Sequence, residues 1–499
     1  MAAMSRSLDY VGGLKRKAVA ARSYRCSVSS KSGTEFAGNQ SFQIEMPTIA
    51  RSYADLANMC LEYGIISSGA KSTLCSSGYD VINRMTISSG GGAVIDDCQN
   101  LNLYYNAVLA QNVSHEFMRG YMAEAAGHRG EVGSPLGVDI QATGGTARKI
   151  RIPLLHSVAT IDKLLPLATS SGLNFTIYLE DFKNVLMSAT ADVPESGSGA
   201  SLVAAVVNAA VDYKILNPRL VFYVTELSPE TEALLQQSVQ PIGFNMNFTG
   251  LACTRSKKNV TTEGSAGTTI SQLGFRYSSL NKITLLQRNP TSALNVTQSQ
   301  NNRGWFGLTE LSFFINGTRY PQQKMVGSAE NFGEFLTETF LSNNVLANIY
   351  HNSSLNNTAQ LTEIASDEAD SDSAADIKIR IDSTANALRQ QIPANSRNYE
   401  SREGVLAGGF YTTGATLDTF NSATPGAANY GTFLVSYSFE NFKTPADDSG
   451  LYSGTSTLGS TVTAEMVHTS ATTADLFFFA ECDKILSIDA LTQNFVVSD

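Results

Sequence analysis

Charge is what this 499-residue chain has least of: Asp, Glu, Lys and Arg make up 16% of it, against roughly 25% in ordinary soluble domains. Ser, Thr, Asn, Gln and Gly take their place. Such a surface suits extensive protein–protein contact or long polar loops, because desolvating a charge at an interface is costly. Long apolar runs are missing as well: no stretch approaches the 18 or more apolar residues of a membrane-spanning helix. The N-terminus carries no secretory signal pattern, so the sequons at Asn247, Asn259, Asn295 and Asn316 read as incidental to an Asn/Thr-rich sequence. The six cysteines at 26, 60, 75, 98, 253 and 482 include no C-x-x-C pair. A chain of this length does not need disulfide staples, which predicts reduced, mostly buried thiols in a soluble protein made in a reducing compartment.

Catalytic signatures are equally scarce. There is no G-x-x-x-x-G-K-[ST] loop to cradle a phosphate and no G-x-S-x-G nucleophile elbow. His115-Glu116 begins like a zinc helix, but Arg119 stands where the second imidazole should be. The five histidines, at 115, 128, 156, 351 and 468, are scattered. The acidic run Asp367–Asp376 lacks the Gly and the Glu of a calcium-binding loop. Glu180 and Asp181 are adjacent carboxylates, which on a strand point to opposite faces and cannot flank one glycosidic bond. No catalytic residue, cofactor or metal ligand is predicted.

What the chain does contain is short alternating segments bounded by Gly, Ser, Asn and Pro, the pattern of half-buried strands. In Leu173–Leu179 residues 173, 175, 177 and 179 share one apolar face, and in Phe433–Phe439 residues 433, 435, 437 and 439 do so. Phe42–Met46 and Ile150–Ile152 repeat the theme. Leu220–Val224 and Leu476–Ala480 are apolar on both faces, which fits strands covered on each side by a sandwich interior or a neighbouring subunit. Gly90–Gly92 reads as a hairpin turn. Helices are predicted from Ser228, with a Ser cap and Pro at the first turn, from Thr48 to Tyr63 on the spacing of Ile49, Tyr53, Leu56 and Met59, and from about 331 to 349. The order strand 42–46, helix, strand 78–87 matches the order strand 215–227, helix, strand 275–285, which suggests a duplicated sandwich. Residues 189–200 read as an exposed linker.

The net charge of −10 argues against the whole chain coating nucleic acid, yet charge is uneven. Arg6, Lys15, Arg16, Lys17, Arg22, Arg25 and Lys31 crowd the first 31 residues against one acid, Asp9. Such an arm suits an anionic partner, either a packaged genome or a membrane surface; a free basic terminus is the plainer alternative.

Ile152-Pro-Leu-Leu-His156, then Lys163-Leu-Leu-Pro-Leu167, then Gly172–Leu179 resemble the segment that ends the first jelly roll in double jelly-roll major capsid proteins. Such a segment occurs in polinton-like viruses, adintoviruses and related eukaryotic DNA viruses, with relatives among the large eukaryotic DNA viruses and tailless phages, and a polinton-like virus fits the resemblance best. Tyr213–Asn217 leading through Val221–Leu227 to Ser228-Pro-Glu230 resembles the passage into the second roll. Gly78–Ile87, Arg276–Arg288 and Phe313–Pro321 are similar to further family segments. The resemblance implies an all-β fold of two consecutive eight-stranded jelly-roll β-sandwiches, with a few short helices and long loop insertions. After a basic N-terminal arm over 1–36, read from its charge, it places a first roll over 37–212 and a second over 213–499, the latter interrupted by an insertion around 325–400 that the acidic, core-poor composition marks. It further implies a non-enzymatic major capsid protein, forming homotrimers that serve as pseudo-hexameric capsomers of an icosahedral virion. Its partners would be neighbouring capsomers, penton and minor capsid proteins, and packaged dsDNA or an inner membrane on the side of the arm. The rival reading is a carbohydrate- or receptor-binding spike or fibre sandwich; it has little to build on, since the chain's one tryptophan is Trp305, a residue type more often packed than presented.

Overall fold

The structure is a computed structural model. It describes residues 21–67, 72–74, 77–112, 121–127, 139–140, 146–161, 163–168, 172–188, 212–239, 243–258, 267–288, 290, 306–327, 333–342, 361–363, 379–381, 433–440, 454–469, 473–488 and 495–498. Eight principal strands come first: β1 (Ala21–Ser29), β2 (Ser41–Glu45), β3 (Ser52–Ser67), β4 (Ile82–Ser89), β5 (Val94–Gln99), β6 (Arg148–Pro153), β7 (Leu173–Leu179) and β8 (Tyr213–Leu227). Eight more follow: β9 (Phe244–Lys257), β10 (Gly267–Leu273), β11 (Leu280–Arg288), β12 (Leu308–Ile315), β13 (Thr318–Val326), β14 (Leu434–Ser438), β15 (Val462–His468) and β16 (Asp475–Ile488).

Their pairing repeats with a step of eight. The first set forms antiparallel sheets ordered β1-β8-β3-β6 and β2-β7-β4-β5, and the second forms β9-β16-β11-β14 and β10-β15-β12-β13. Short strands extend the first and third sheets: Glu35–Ala37 beside β8, Leu165–Pro166 beside β3, and Phe495–Ser498 beside β16. Each set is therefore a complete eight-stranded jelly roll, in which two facing sheets bury the inward residue of every alternating pair. In β7 the alternation is simple: Leu173, Phe175, Ile177 and Leu179 are buried while Tyr178 faces out. Turn chemistry sets the hairpins. Gly92 takes φ 88° between β4 and β5, and Asn316-Gly317, at φ 50° and 81°, joins β12 to β13 as the Asn-Gly pair that a two-residue type I′ turn demands.

Three helices stand out. α1 (Leu101–Asn112) follows β5, α2 (Pro229–Val239) follows β8, and α3 (Gly333–Leu341) follows β13. α2 is the helix expected from Ser228, whose hydroxyl accepts from the Thr231 N–H at 3.3 Å. α3 falls within the 331–349 expectation; residues 331–332 and 343–349 lie outside the described residues.

Four expectations are corrected. Residues 48–63 are not a helix: 52–67 form β3. Between the pairs Val221↔Cys60 and Tyr223↔Asp55, residues 56–59 oppose the single Phe222 of β8. This bulge turns both Leu56 and Met59 into the core, which imitates helical spacing. The boundary between rolls does not fall at 213, because β8 pairs with β1 and β3 and so closes the first roll; the second roll's sheets begin at β9. The arm does not extend to 36, since 21–29 and 35–37 are sheet strands held by β8. Finally, the duplication is offset from the one expected. The counterpart of 42–46 (β2) is β10, not 215–227, because pairing partners, rather than local strand–helix order, define equivalence.

Gly78, in the turn that opens β4, has no room for a side chain. A Cβ there would meet Ile150 Cγ2 at 2.5 Å, the Ala126 carbonyl at 2.9 Å and the Tyr63 hydroxyl at 2.9 Å. That hydroxyl itself donates to the Gly78 carbonyl. Gly78→Ala is expected to cost about 1–3 kcal/mol by overpacking, read as a lowered urea midpoint; an unchanged midpoint would show that the turn can shift without cost.

Candidate assembly surfaces

The β9-β16-β11-β14 sheet is buried on both faces, and the residues of β16 divide between them. Leu476, Phe478 and Ala480 point into the second roll's own core; Phe477 and Phe479 join a core shared with the first roll. The doubly apolar run 476–480 thus has its second cover within the same chain. On the first roll's side the contact is made by α1, β5, residues 157–161 and Lys163. The Tyr104 ring lies 5.3 Å from that of Phe479, and its hydroxyl donates to Glu481 Oε1 at 2.7 Å. Glu481 also pairs with Lys282 at 2.7 Å. The Ser157 N–H donates to the Thr249 carbonyl at 3.0 Å, and the Thr249 N–H to Thr160 Oγ1 at 2.8 Å. Lys163 Nζ donates to the Asn245 carbonyl at 3.0 Å. Across the same seam Asp96 of β5 lies 3.6 Å from Lys484 of β16. Burial pushes the Asp96 carboxyl up to about 6 against the pull of the Lys484 charge.

Other buried polar groups pair with one another in the interior. His156 and His468 are buried, which pushes both imidazoles down to about 3; His156 Nδ1 meets the Tyr105 hydroxyl, and His468 Nε2 meets Gln287 Oε1 at 3.0 Å. Glu180 Oε1 accepts from Asn184 at 2.8 Å, while Asp181 caps the short helix 182–185 through the Lys183 N–H at 2.9 Å. His115, His128, His351, Trp305, the linker 189–200 and the acidic run 367–376 lie outside the described residues. All five cysteines among the described residues are free thiols. Among those residues no cluster of His, Cys, Asp and Glu suits a metal ion, and no helix is long and apolar enough to cross a membrane.

Of the predicted basic residues, Arg6, Lys15, Arg16 and Lys17 lie outside the described residues. Arg22 and Arg25 are on β1, and Lys31 follows it. Lys31 pairs with Glu45 at 2.6 Å, and the Arg22 guanidinium lies over the Tyr24 ring. Arg25 belongs to a cluster that sequence reading did not foresee. Residues of β1, β8, β3 and β6 alternate inward and outward, and on the outer face Arg25 and Arg219 both reach Glu62, Arg25 at 3.2 Å. Arg151 is the register partner of Glu62 on the other side. Burial by itself would raise the Glu62 carboxyl, but the hydrogen bond from Arg219 and the charges of Arg219, Arg25 and Arg151 hold it below the usual carboxylate range. Three guanidiniums thus surround one carboxylate, and on the same face Tyr223, 43% exposed, stands between Arg25 and Asp55. The second roll's outer face, on β12, β13 and β15, carries an open cleft of about 510 Å³ lined by Glu310, Ser312, Gln322, Gln323, Lys324 and Glu465 among others.

Two jelly rolls in one chain, packed against each other through a shared core, have counterparts among solved structures. VP54 of the virus PBCV-1, fitted into a reconstruction of the virophage Sputnik, superposes with a TM-score of 0.56 at 11% identity, over 97% of this chain and 98% of that one. A chain of the PBCV-1 capsid gives 0.55 at 12% identity over 97% and 98%. A chain of the Sputnik virophage gives 0.54 at 11% identity over 100% and 92%. The fold is that of the double jelly-roll capsid proteins. No protein-family model and no curated protein sequence matches the chain, so the likeness is one of architecture, carried over nearly the whole length of each chain.

Proposed function

We propose that this chain is the major capsid protein of an icosahedral virus, of the polinton-like or adintovirus type, and that it works as a homotrimeric, pseudo-hexameric shell brick without catalytic activity. The observation that carries the reading is the repeat of eight strands with identical sheet order in two rolls that pack on one another across an apolar seam. One chain then supplies two similar lobes, three chains supply six around a threefold axis, and the resulting hexagonal outline tiles flat facets. A sparsely charged surface favours the many contacts that such tiling needs. The basic segment that leads into β1 is assigned to packaged dsDNA or an inner membrane, and penton and minor capsid proteins are the further partners. The virion is the expected location.

Size-exclusion chromatography with light scattering tests the trimer: a species of about 160 kDa, three times 53.4 kDa, with a hexagonal outline in negative stain. A monomer at every concentration would overturn the proposal and direct attention to glycan-binding screens.

A further inference from the structure

The seam between the rolls brings together two thiols from distant parts of the chain. Cys98 lies on β5 of the first roll and is 1% exposed; Cys253 lies on β9 of the second and is partly exposed. Asp96 and Cys98 alternate along β5, both turned away from solvent, while Asp97 between them pairs with Arg84 outside. On β9, Leu251 and Cys253 stand opposite Glu481 and Phe479, the two residues of β16 that meet Tyr104 of the first roll. Cys98 and Cys253 therefore face the same gap, and both belong to the apolar cluster that spans the seam.

Two contacts fix the register of that approach. Asp96 lies 3.6 Å from Lys484, and the side-chain amide of Asn100, two residues beyond Cys98, donates to the Cys253 sulfur at 3.6 Å. Cys98 sits between them. Among the ionisable groups around it, Cys253 has the strongest influence, ahead of Asp96 on its own strand. This sets the two thiols no further apart than alternate residues of a strand, about 7 Å. The other described thiols are not so placed. Cys26 packs inward on β1, while Cys60 lies beside Arg151 on the outer face. Cys482 turns to the opposite face of its sheet, against the Gly250 carbonyl.

We propose that Cys98 and Cys253 are a redox pair, closing a disulfide across the seam when the chain meets a small-molecule disulfide such as oxidised glutathione. Cys253, the more exposed, attacks the oxidant and releases one thiol. The Cys98 sulfur then attacks Cys253 in the mixed disulfide and releases the second. One S–S bond forms, and the two protons and two electrons lost by the cysteines leave on the two glutathione thiols. Burial sets the pace. It pushes the Cys253 thiol up to about 12 and the Cys98 thiol well above its ordinary range, so neither is a nucleophile until the seam opens. The link ties together two rolls otherwise held by noncovalent contacts, and it constrains the unfolded chain across a long loop. It stands on the seam alone and does not need the capsid reading.

The test incubates the full wild-type chain and Phe479→Ala, which removes a ring from the seam, with oxidised glutathione. Remaining thiols are blocked with N-ethylmaleimide, and cysteine peptides are mapped by mass spectrometry without reduction. The expected result is one linked pair, Cys98 with Cys253, formed at least tenfold faster in Phe479→Ala and absent after dithiothreitol. In the linked wild-type chain the Thr249 and Ser157 amides, which bond across the seam, should exchange at least tenfold more slowly than in the reduced chain. A stable glutathione adduct on Cys253 in Phe479→Ala would overturn the proposal, as would pairing of either cysteine with any other, Cys75 included. Free thiols at both positions after prolonged oxidation of the wild-type chain, in urea just below its midpoint, would overturn it as well.

Discussion

Phe479→Ala is expected to destabilise the protein by about 3–5 kcal/mol, the range for emptying a buried phenylalanine site, and to do so by loosening the two rolls from one another. Phe479 is 1% exposed, and its ring packs on Tyr104 of α1. Its neighbour Phe478 is 0% exposed and belongs to the other core, inside the second roll. Successive residues on a strand face opposite ways, so two substitutions of the same chemistry, one residue apart, separate the two interfaces. Phe478→Ala should cost a similar amount. Hydrogen exchange distinguishes them: Phe479→Ala should speed exchange at the Thr249 and Ser157 amides, which bond across the seam, while β12 and β15 stay protected. Phe478→Ala should expose β12 and β15. If both variants raised exchange uniformly, the rolls would be one cooperative unit with no seam of its own. A cost below about 1 kcal/mol for Phe479→Ala would mean that the seam is not an energetic contact.

The second large effect is acid destabilisation with a countercurrent. His156 and His468 sit near 3 in the fold against an ordinary value of 6.5. For each, stability is complete above about pH 6.5 and is lost as pH falls, because the unfolded chain takes up a proton that the native chain refuses. Asp96 works the other way. Its carboxyl is raised from 3.8 to about 6, so its contribution is complete below about pH 4 and is lost as pH rises through 6. Between about pH 4 and 6 these three groups together leave one proton of difference, a loss of about 1.4 kcal/mol for each unit of acidification. Asp96→Asn removes the opposing group and should steepen that slope by a further 1.4 kcal/mol or so per unit, while His468→Gln should flatten it by a like amount. Urea titrations at several pH values measure both. An Asp96→Asn slope equal to wild type would show that Asp96 is already ionised across the seam.

Some of this was legible in the residues and some was not, for identifiable reasons. The strand Leu173–Leu179 is β7 to the residue, because its alternation is uninterrupted and one face is buried. Asn316-Gly317 carries a hairpin signal in the sequence itself, the pair that a two-residue type I′ turn demands. The segment Thr48–Tyr63 misled because a bulge places Leu56 and Met59 inward together, a spacing that a single strand period does not produce. α1 gave no amphipathic signal, since Leu101, Asn102, Tyr104, Tyr105 and Asn106 are buried around its whole circumference. The basic residues of the N-terminus were visible as a cluster in sequence. That Arg25 meets Arg219 and Arg151 around Glu62 was not, because those residues come from four strands spread over nearly 200 positions.

By itself the sequence determined an all-β chain of many short strands, sparsely charged and without catalytic motifs, whose ordered short segments already resembled the double jelly-roll proteins. It also determined that Leu476–Ala480 must be covered on both sides. Only the tertiary structure decided what does the covering, that β8 closes the first roll rather than opening the second, and which strands are equivalent. The reason is physical. A period of two records that a face is buried, not what buries it, and sixteen strands of similar local pattern select their partners through long-range packing that no single segment encodes.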